Sequence, residues 1–168
     1  MKTLISIALL FVLSIYSSYA ADYGFLWTGD AQTNNCYNYA LGVPTNTFLV
    51  PGEASGRAAE VMTCEDDFGE LGLVNAAIND GLRLVDSADK CLPNEQVTAL
   101  FNMPEMDFHW YRLEKDGIWT HKMGKRSPTD LDRSGKVITD LMSADHGQYR
   151  YFCGYFCVDY SKLKVKFK

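Results

Sequence analysis

The amino-acid sequence predicts an α+β domain in which N-terminal helices pack on an antiparallel β-sheet. Two observations support this class. Apolar residues recur at helical spacing in the first part of the chain, and segments rich in aromatic and β-branched residues follow one another from Val97 onwards. Helices followed by a run of strands are typical of α+β proteins, whose helices cover one face of the sheet.

Two helices are expected before the strands. The first begins near Cys36 and runs towards Leu41, because Gly42 and Pro44 stop it. The second covers a region in which apolar residues lie three or four positions apart, and Gly81 marks its end. The apolar face of this second helix consists of Phe68, Leu71, Val74, Ile78 and Leu82.

The strand segments are "VTALFNM", "DFHWYRLE", "IWTHKM" and "GYFCVDY", and a hairpin at "EKDGI" joins the second to the third. A two-residue loop would pair His121 with Arg112 and place His109 and His121 on opposite faces. A three-residue loop that ends with Gly117 in the left-handed conformation pairs His121 with Tyr111 instead. In that register the two histidines are diagonal neighbours on one face, and the local sequence favours it.

Residues 1–20 have the pattern of a secretory signal peptide. Lys2 precedes an apolar stretch that is too short to span a bilayer, and small residues lead to Ala20, after which we expect cleavage. Residues 21–168 then form a single domain that is secreted or periplasmic and has no membrane segment. The net charge is −5 for the whole chain, and −6 without Lys2. An acidic chain without a basic patch is not expected to bind nucleic acid.

The five cysteines are an odd number for an exported chain, so at least one thiol stays outside the intramolecular disulfides. Cys153 and Cys157 lie four residues apart on a predicted strand, about 13 Å, which is too far for them to bridge each other. Each needs a distant partner, and Cys64 and Cys91 are available. The parity of the cysteines therefore favours Cys36 as the free thiol.

A cysteine at a helix start and two histidines on adjacent strands suggest thiol catalysis. The helix N-terminus favours a thiolate at Cys36. His109 would act as the general base, and His121 would orient the His109 imidazole. Gln32 would add a donor to an oxyanion hole formed with the Cys36 N–H. Arg112 would bind a substrate carboxylate or, equally, serve as a cross-strand partner.

The motifs "NNCYNYA", "DFHWYR" and "WTHKMG", in this order, resemble those of the NlpC-like and CHAP papain-fold cysteine peptidases. Members of those families typically hydrolyse amide bonds in bacterial cell-wall peptides. The resemblance implies a papain-like hydrolase domain over residues 21–168, with Cys36 as nucleophile, His109 as base and His121 as orienting residue. It also implies an assisting role for Tyr23.

The function expected from the sequence is therefore that of an exported cysteine hydrolase that cleaves amide bonds in peptidoglycan peptides. A peptide or peptidoglycan fragment is the expected partner, and no cofactor or metal is expected; whether a protein inhibitor binds stays open. A calcium loop starting at Asp130 has Leu141 where a glutamate ligand is needed. Zinc binding through Cys153 and Cys157 lacks a second ligand pair. The alternative function is a non-catalytic, disulfide-stabilised secreted binding protein.

Overall fold

The computed structural model describes residues 27–166 and shows an α+β domain built on one antiparallel sheet. This confirms the fold class expected from the sequence. The predicted signal peptide lies outside the described residues. Between residues 27 and 166, no helix is long and apolar enough to cross a membrane. The helices are α1 Cys36–Leu41 and α2 Leu73–Asn79, and the strands are β1 Leu82–Val85, β2 Gln96–Met103, β3 Asp107–Leu113, β4 Trp119–His121 and β5 Tyr151–Val158.

The sheet has the strand order β1-β5-β2-β3-β4, and each strand runs antiparallel to its neighbours. The β3–β4 hairpin has the register of a three-residue loop. Tyr111 pairs with His121, and Gly117 has a φ of 86° with its N–H donating to the Glu114 carbonyl at 3.0 Å. Because alternate side chains share a face, His109, Tyr111 and His121 lie on the same face. The predicted register is confirmed.

Helix α1 has the bounds expected from the sequence, since polar side chains cap its start and a left-handed glycine ends it. The Asn35 side chain accepts hydrogen bonds from the backbone N–H groups of Tyr37 and Asn38, and the Asn38 side chain accepts one from the Asn35 N–H. This reciprocal pair is a capping box. At the other end Gly42 takes the left-handed conformation with a φ of 68°, which ends the helix.

Helix α2 is shorter than predicted, and three residues expected on its apolar face, Phe68, Leu71 and Leu82, lie outside it. Phe68 stands at the tip of a hairpin whose two sides meet in a bridge between Asp67 and Glu70, and Leu82 begins β1, a strand that the sequence did not predict. The helix starts only after Gly72, where an added Cβ would lie 2.2 Å from a backbone carbonyl oxygen. The glycine-containing hairpin therefore replaces the first turns of the expected helix.

The sheet has two different faces. One face packs on α1 through an apolar cluster that includes Cys36, Tyr37, Trp110 and Phe156. This side is named the helix face. The opposite side is named the loop face, because the long connection between β4 and β5 covers it. Its buried apolar residues are Ala99, Phe101, Tyr111, Trp119, Ile138 and Leu141.

Two disulfides tie β5 to earlier parts of the chain. Cys64 is bonded to Cys153 and Cys91 to Cys157, which closes loops of 89 and 66 residues. Cys36 is free and buried. The structure therefore pairs the four cysteines proposed from the sequence and leaves the fifth as a thiol. Disulfides of this kind form and persist in oxidising compartments.

Candidate functional site

The two histidines singled out in the sequence are in direct contact on the loop face. The Nε2 atom of His109 and the Nδ1 atom of His121 are 2.7 Å apart, and the rings meet edge to face with centroids separated by 4.9 Å. The other nitrogen of His121, Nε2, lies 2.9 Å from the carbonyl oxygen of Leu131. A carbonyl can only accept, so His121 Nε2 carries a proton and donates it. His121 Nδ1 is then the acceptor of the His109 Nε2–H.

A third histidine extends this cluster in the same way. His146 Nε2 lies 2.8 Å from the Leu141 carbonyl and must donate to it, which leaves His146 Nδ1 to accept from the Tyr111 hydroxyl at 2.9 Å. The His146 ring also stacks on Phe101 with centroids 3.9 Å apart. Both chains of hydrogen bonds therefore start on β3 and end on backbone carbonyls of the connection between β4 and β5.

The surroundings keep all three imidazoles neutral. Burial lowers the pKa of His109 well below its ordinary range, and the neighbouring His121 and His146 lower it further. Burial also lowers the pKa of His121 and that of His146, although hydrogen bonds to the Leu131 and Leu141 carbonyls partly oppose this. Neutral rings of His121 and His146, with both nitrogens already hydrogen-bonded, are suited to holding loops in place.

A cleft of about 590 Å³ lies above the cluster. Three of the residues that line it, Tyr111, His121 and His146, already use their hydroxyl group or ring nitrogens in the hydrogen bonds described above. Its rim carries charges of both signs, so the cleft has no dominant charge. Residues lining it include Tyr111, His121, Arg126, Asp132, His146 and Tyr149.

Cys36 belongs to the helix face, where its Sγ lies 3.8 Å from the carbonyl oxygen of Phe108. Phe108 and Trp110 pack in the same cluster, and His109 between them points to the loop face because neighbouring side chains on a strand alternate. The backbone of β3 thus separates the thiol from the imidazole. Burial raises the pKa of Cys36 to about 12, and a hydrogen bond with the Trp110 backbone only partly opposes this. The thiol is protonated at neutral pH, contrary to the activated thiolate expected from the helix start.

The weaker site residues have structural contacts of their own. Arg112 is buried and its Nε lies 3.2 Å from Glu114 Oε1, so it serves as a partner within the sheet rather than at an open substrate site. The Gln32 side chain donates to the Lys125 carbonyl at 3.1 Å. Tyr23, the tyrosine expected to assist catalysis, lies outside the described residues.

Neither metal alternative has a suitable set of free ligands in the described part of the chain. The Asp132 carboxylate accepts hydrogen bonds from the backbone N–H groups of Ser134, Lys136 and Asp145, and these bonds hold its pKa far below the ordinary range. It organises a turn. Within residues 27–166, the one close group of possible metal ligands contains Cys91 and Cys157, whose sulfurs form a disulfide.

Sequence reasoning missed two groups that stabilise this region. Lys122 is completely buried, and its Nζ donates to the carbonyls of Ala31, Asn34 and Gly124. His146 lies in a connection without periodic pattern, 35 residues from its partner Tyr111. Only the small number of histidines could have drawn attention to His146, and no local signal predicted the burial of Lys122.

Comparison with known proteins identifies a clear relative. No family model and no solved structure matches the chain. The chain is 41% identical over 127 residues to insoluble matrix shell protein 1 of Ruditapes philippinarum, and the alignment covers 74% of this chain and 78% of that protein.

This relationship overturns the predicted function. The relative is named for an insoluble shell matrix, and the two disulfides of the present structure suit a non-catalytic secreted protein. The prediction of a cysteine hydrolase that cleaves peptidoglycan amide bonds is therefore wrong, and the non-catalytic alternative fits better. At this level of identity and coverage, the chain belongs to the family of insoluble matrix shell protein 1.

Proposed function

We propose that the protein is a non-catalytic, disulfide-stabilised component of an insoluble extracellular matrix, retained there by binding other matrix components. The observation that carries this proposal is the 41% identity to insoluble matrix shell protein 1 over most of both chains. Export through the predicted signal peptide, with cleavage after Ala20, is part of the proposal. Sequencing the N-terminus of the natural protein would check the cleavage site.

The structure supports the proposal in two ways. Disulfides that close loops of 89 and 66 residues stabilise a small domain outside the cell without help from a partner. The buried histidines hold the connection between β4 and β5 by hydrogen bonds, which gives them a structural role. The papain-like fold suggested by the resemblance stays a prediction, and the proposal does not depend on it. The peptide or peptidoglycan partner expected from the sequence is untested and stays a prediction. We propose matrix components as partners instead.

The test is retention by the insoluble matrix. Extracellular material of the source organism would be washed with salt and chaotrope, and the oxidised recombinant protein would be incubated with the insoluble residue and then pelleted. We expect saturable retention, equal for the natural sequence and for Cys36→Ala, and weaker for protein whose disulfides have been reduced. The natural protein should also be found by mass spectrometry in the insoluble fraction. Its absence from that fraction, together with no retention of the recombinant protein, would contradict the proposal.

A further inference from the structure

The tip of the hairpin formed by residues 64–72 exposes a large aromatic side chain. Phe68 is 99% exposed, and its φ of 47° followed by a φ of 87° at Gly69 is characteristic of a type I′ turn. Hydrogen bonds between Asp67 and Glu70 in both directions, at 3.1 and 2.7 Å, close the turn. The first position of such a turn normally carries Asn, Asp or Gly, and bulky residues rarely adopt a positive φ. Local folding preferences therefore do not explain a phenylalanine here.

The hairpin is anchored firmly at its base. Cys64 is bonded to Cys153, and the Asp66 carboxylate accepts hydrogen bonds from the Gly72 N–H at 2.8 Å and the Asn75 side chain at 3.1 Å. A ring presented by a rigid hairpin loses little conformational freedom on binding, which favours its use as a contact residue. We name this segment the Phe68 hairpin.

The charge around Phe68 indicates what it would contact. Glu65, Asp67 and Glu70 are exposed beside it, and residues 64–72 contain no basic side chain. A complementary surface must therefore be basic. Lysine suits an aromatic contact, because its aliphatic stem packs on the ring while its ammonium group stays near the carboxylates.

A surface of this kind is present on the same chain. Lys162, Lys164 and Lys166 are exposed and alternate with the buried residues Leu163 and Val165. Lys162 lies in a turn and forms an ion pair of 3.2 Å with Asp159, and Lys164 and Lys166 follow in the irregular segment after this turn. We name these three lysines the lysine ribbon. The half-exposed ring of Tyr160 lies just before them.

The two surfaces lie at opposite ends of α2. The Phe68 hairpin leads directly into the first turn of this helix, whereas the Lys164 N–H bonds to the carbonyl of Asp80, the residue that ends it. The seven residues of α2 span about 10 Å. The tip of the Phe68 hairpin projects beyond the start of α2, and the lysine ribbon lies at the other end of this helix. Within residues 27–166 no ion pair joins the hairpin to the ribbon. The two surfaces are thus placed to meet between molecules rather than within one.

We propose that the Phe68 hairpin of one molecule docks on the lysine ribbon of a second copy, head to tail. A contact between unlike surfaces leaves one hairpin and one ribbon free at the ends of every assembly that does not close into a ring, so growth can continue. This inference rests on the proposed matrix function and specifies how copies of the chain would join in an insoluble material. The contact is small, so each junction is weak and assembly requires a high protein concentration or many simultaneous contacts.

The experiment uses two variants that each remove one surface. The hairpin variant is Phe68→Asn/Glu65→Gln/Glu70→Gln, and the ribbon variant is Lys162→Gln/Lys164→Gln/Lys166→Gln. Asn suits the first position of a type I′ turn, so the hairpin variant should fold. Circular dichroism and thermal unfolding would verify both variants.

A matched control removes one exposed apolar side chain and two exposed carboxylates elsewhere on the surface. This control is Met142→Asn/Asp86→Asn/Glu105→Gln, and its three positions are exposed. It separates a specific hairpin contact from a general effect of lower hydrophobicity and charge.

Analytical ultracentrifugation of the oxidised protein, at up to about 100 µM and at low salt, gives the readout. We expect the natural sequence and the control to self-associate with concentration, and to dissociate at about 0.5 M salt. Each surface variant alone should associate at least about tenfold more weakly. An equimolar mixture of the two variants should form a one-to-one dimer that grows no further, because only one hairpin and one ribbon remain intact.

Three results would overturn the inference. One is a natural sequence that stays monomeric, and another is a surface variant that assembles as well as the control. The third is a mixture without the one-to-one dimer, which would indicate contact between like surfaces. A monomeric protein that is still retained by the washed matrix would refute head-to-tail docking and leave the proposed function standing, with a basic matrix protein as the partner of the hairpin.

Discussion

The two faces of the sheet are stabilised in different ways. The helix face packs mainly through apolar side chains, with the Tyr37 ring tilted against Trp110 at a centroid distance of 4.9 Å and Cys36 buried beside them. The loop face relies on polar rings, since His121 and His146 donate to carbonyls of the covering connection. The stability that apolar packing provides does not change with pH near neutrality, whereas the stability that neutral imidazoles provide falls when they become protonated. The difference shows that histidines placed together on a sheet can secure a loop.

The largest expected effect concerns the disulfides, one of which lies on each side of the sheet. Cys153 borders the apolar cluster of the helix face, and Cys157 points away from it because it lies between Phe156 and Val158. The loops of 89 and 66 residues are similar in length, so loop-closure entropy predicts similar losses. Removing either disulfide by a Cys→Ser pair should lower the free energy of unfolding by about 4 kcal/mol.

Urea unfolding at pH 7.5 measures both losses, with the natural sequence in the oxidised form as reference. Equal losses would indicate that the disulfides act mainly on the unfolded chain. A loss confined to one pair would instead show that one face depends on its disulfide far more than the other.

The second expected effect is a loss of stability in acid that originates on the loop face. The pKa of each histidine is lowered by folding, so above the ordinary pKa of about 6.5 both states are neutral and the network is intact. Below that pH the unfolded chain binds protons that the folded chain excludes, and stability falls. We expect a loss of about 1–3 kcal/mol between pH 7.5 and pH 5.

The variant His109→Gln keeps an N–H donor for His121 and removes one titrating ring. Its free energy of unfolding should change less steeply between pH 7.5 and 5 than that of the natural sequence, by up to about 1.4 kcal/mol per pH unit. An unchanged slope would show that the acid sensitivity comes from groups other than His109.

A third and smaller effect compares one hydroxyl group on each face. Tyr111→Phe removes the donor to His146, and Tyr37→Phe removes the hydrogen bond of 3.1 Å to Asp80 Oδ2. Each variant should lose about 1–2 kcal/mol of unfolding free energy. Hydrogen exchange should then increase in different segments: near Leu141 for Tyr111→Phe, and near Ser55, whose N–H also bonds to Asp80, for Tyr37→Phe. The same pattern of exchange in both variants would contradict independent faces.

Short-range features of the fold could be predicted from the sequence. The capping asparagines and Gly42 determine α1, and Gly117 determines the register that brings His109 and His121 together. Other features could not be predicted in this way. The apolar spacing around α2 suggested a longer helix, because spacing alone does not show that Phe68 and Gly69 form a turn.

The prediction of a catalytic site failed because the spacing of the two histidines does not show on which face of the sheet Cys36 lies. The hairpin register places His109 relative to His121, but it does not place either of them relative to Cys36. A useful signal was present in the sequence: Phe108 and Trp110 flank His109, so both large aromatic rings point away from the imidazole. An apolar helix packs on the side with those rings, which separates Cys36 from His109.

Alkylation distinguishes a buried, protonated Cys36 thiol on the helix face from an activated nucleophile. The oxidised native protein would be treated with iodoacetamide from pH 5 to 9, and the modified residue would be mapped by mass spectrometry. We predict that Cys36 reacts only after unfolding, because its pKa is raised to about 12 and its side chain is buried. Rapid labelling of the native protein, with an apparent pKa well below the free value of about 8.5, would show an exposed, activated thiolate and contradict the account.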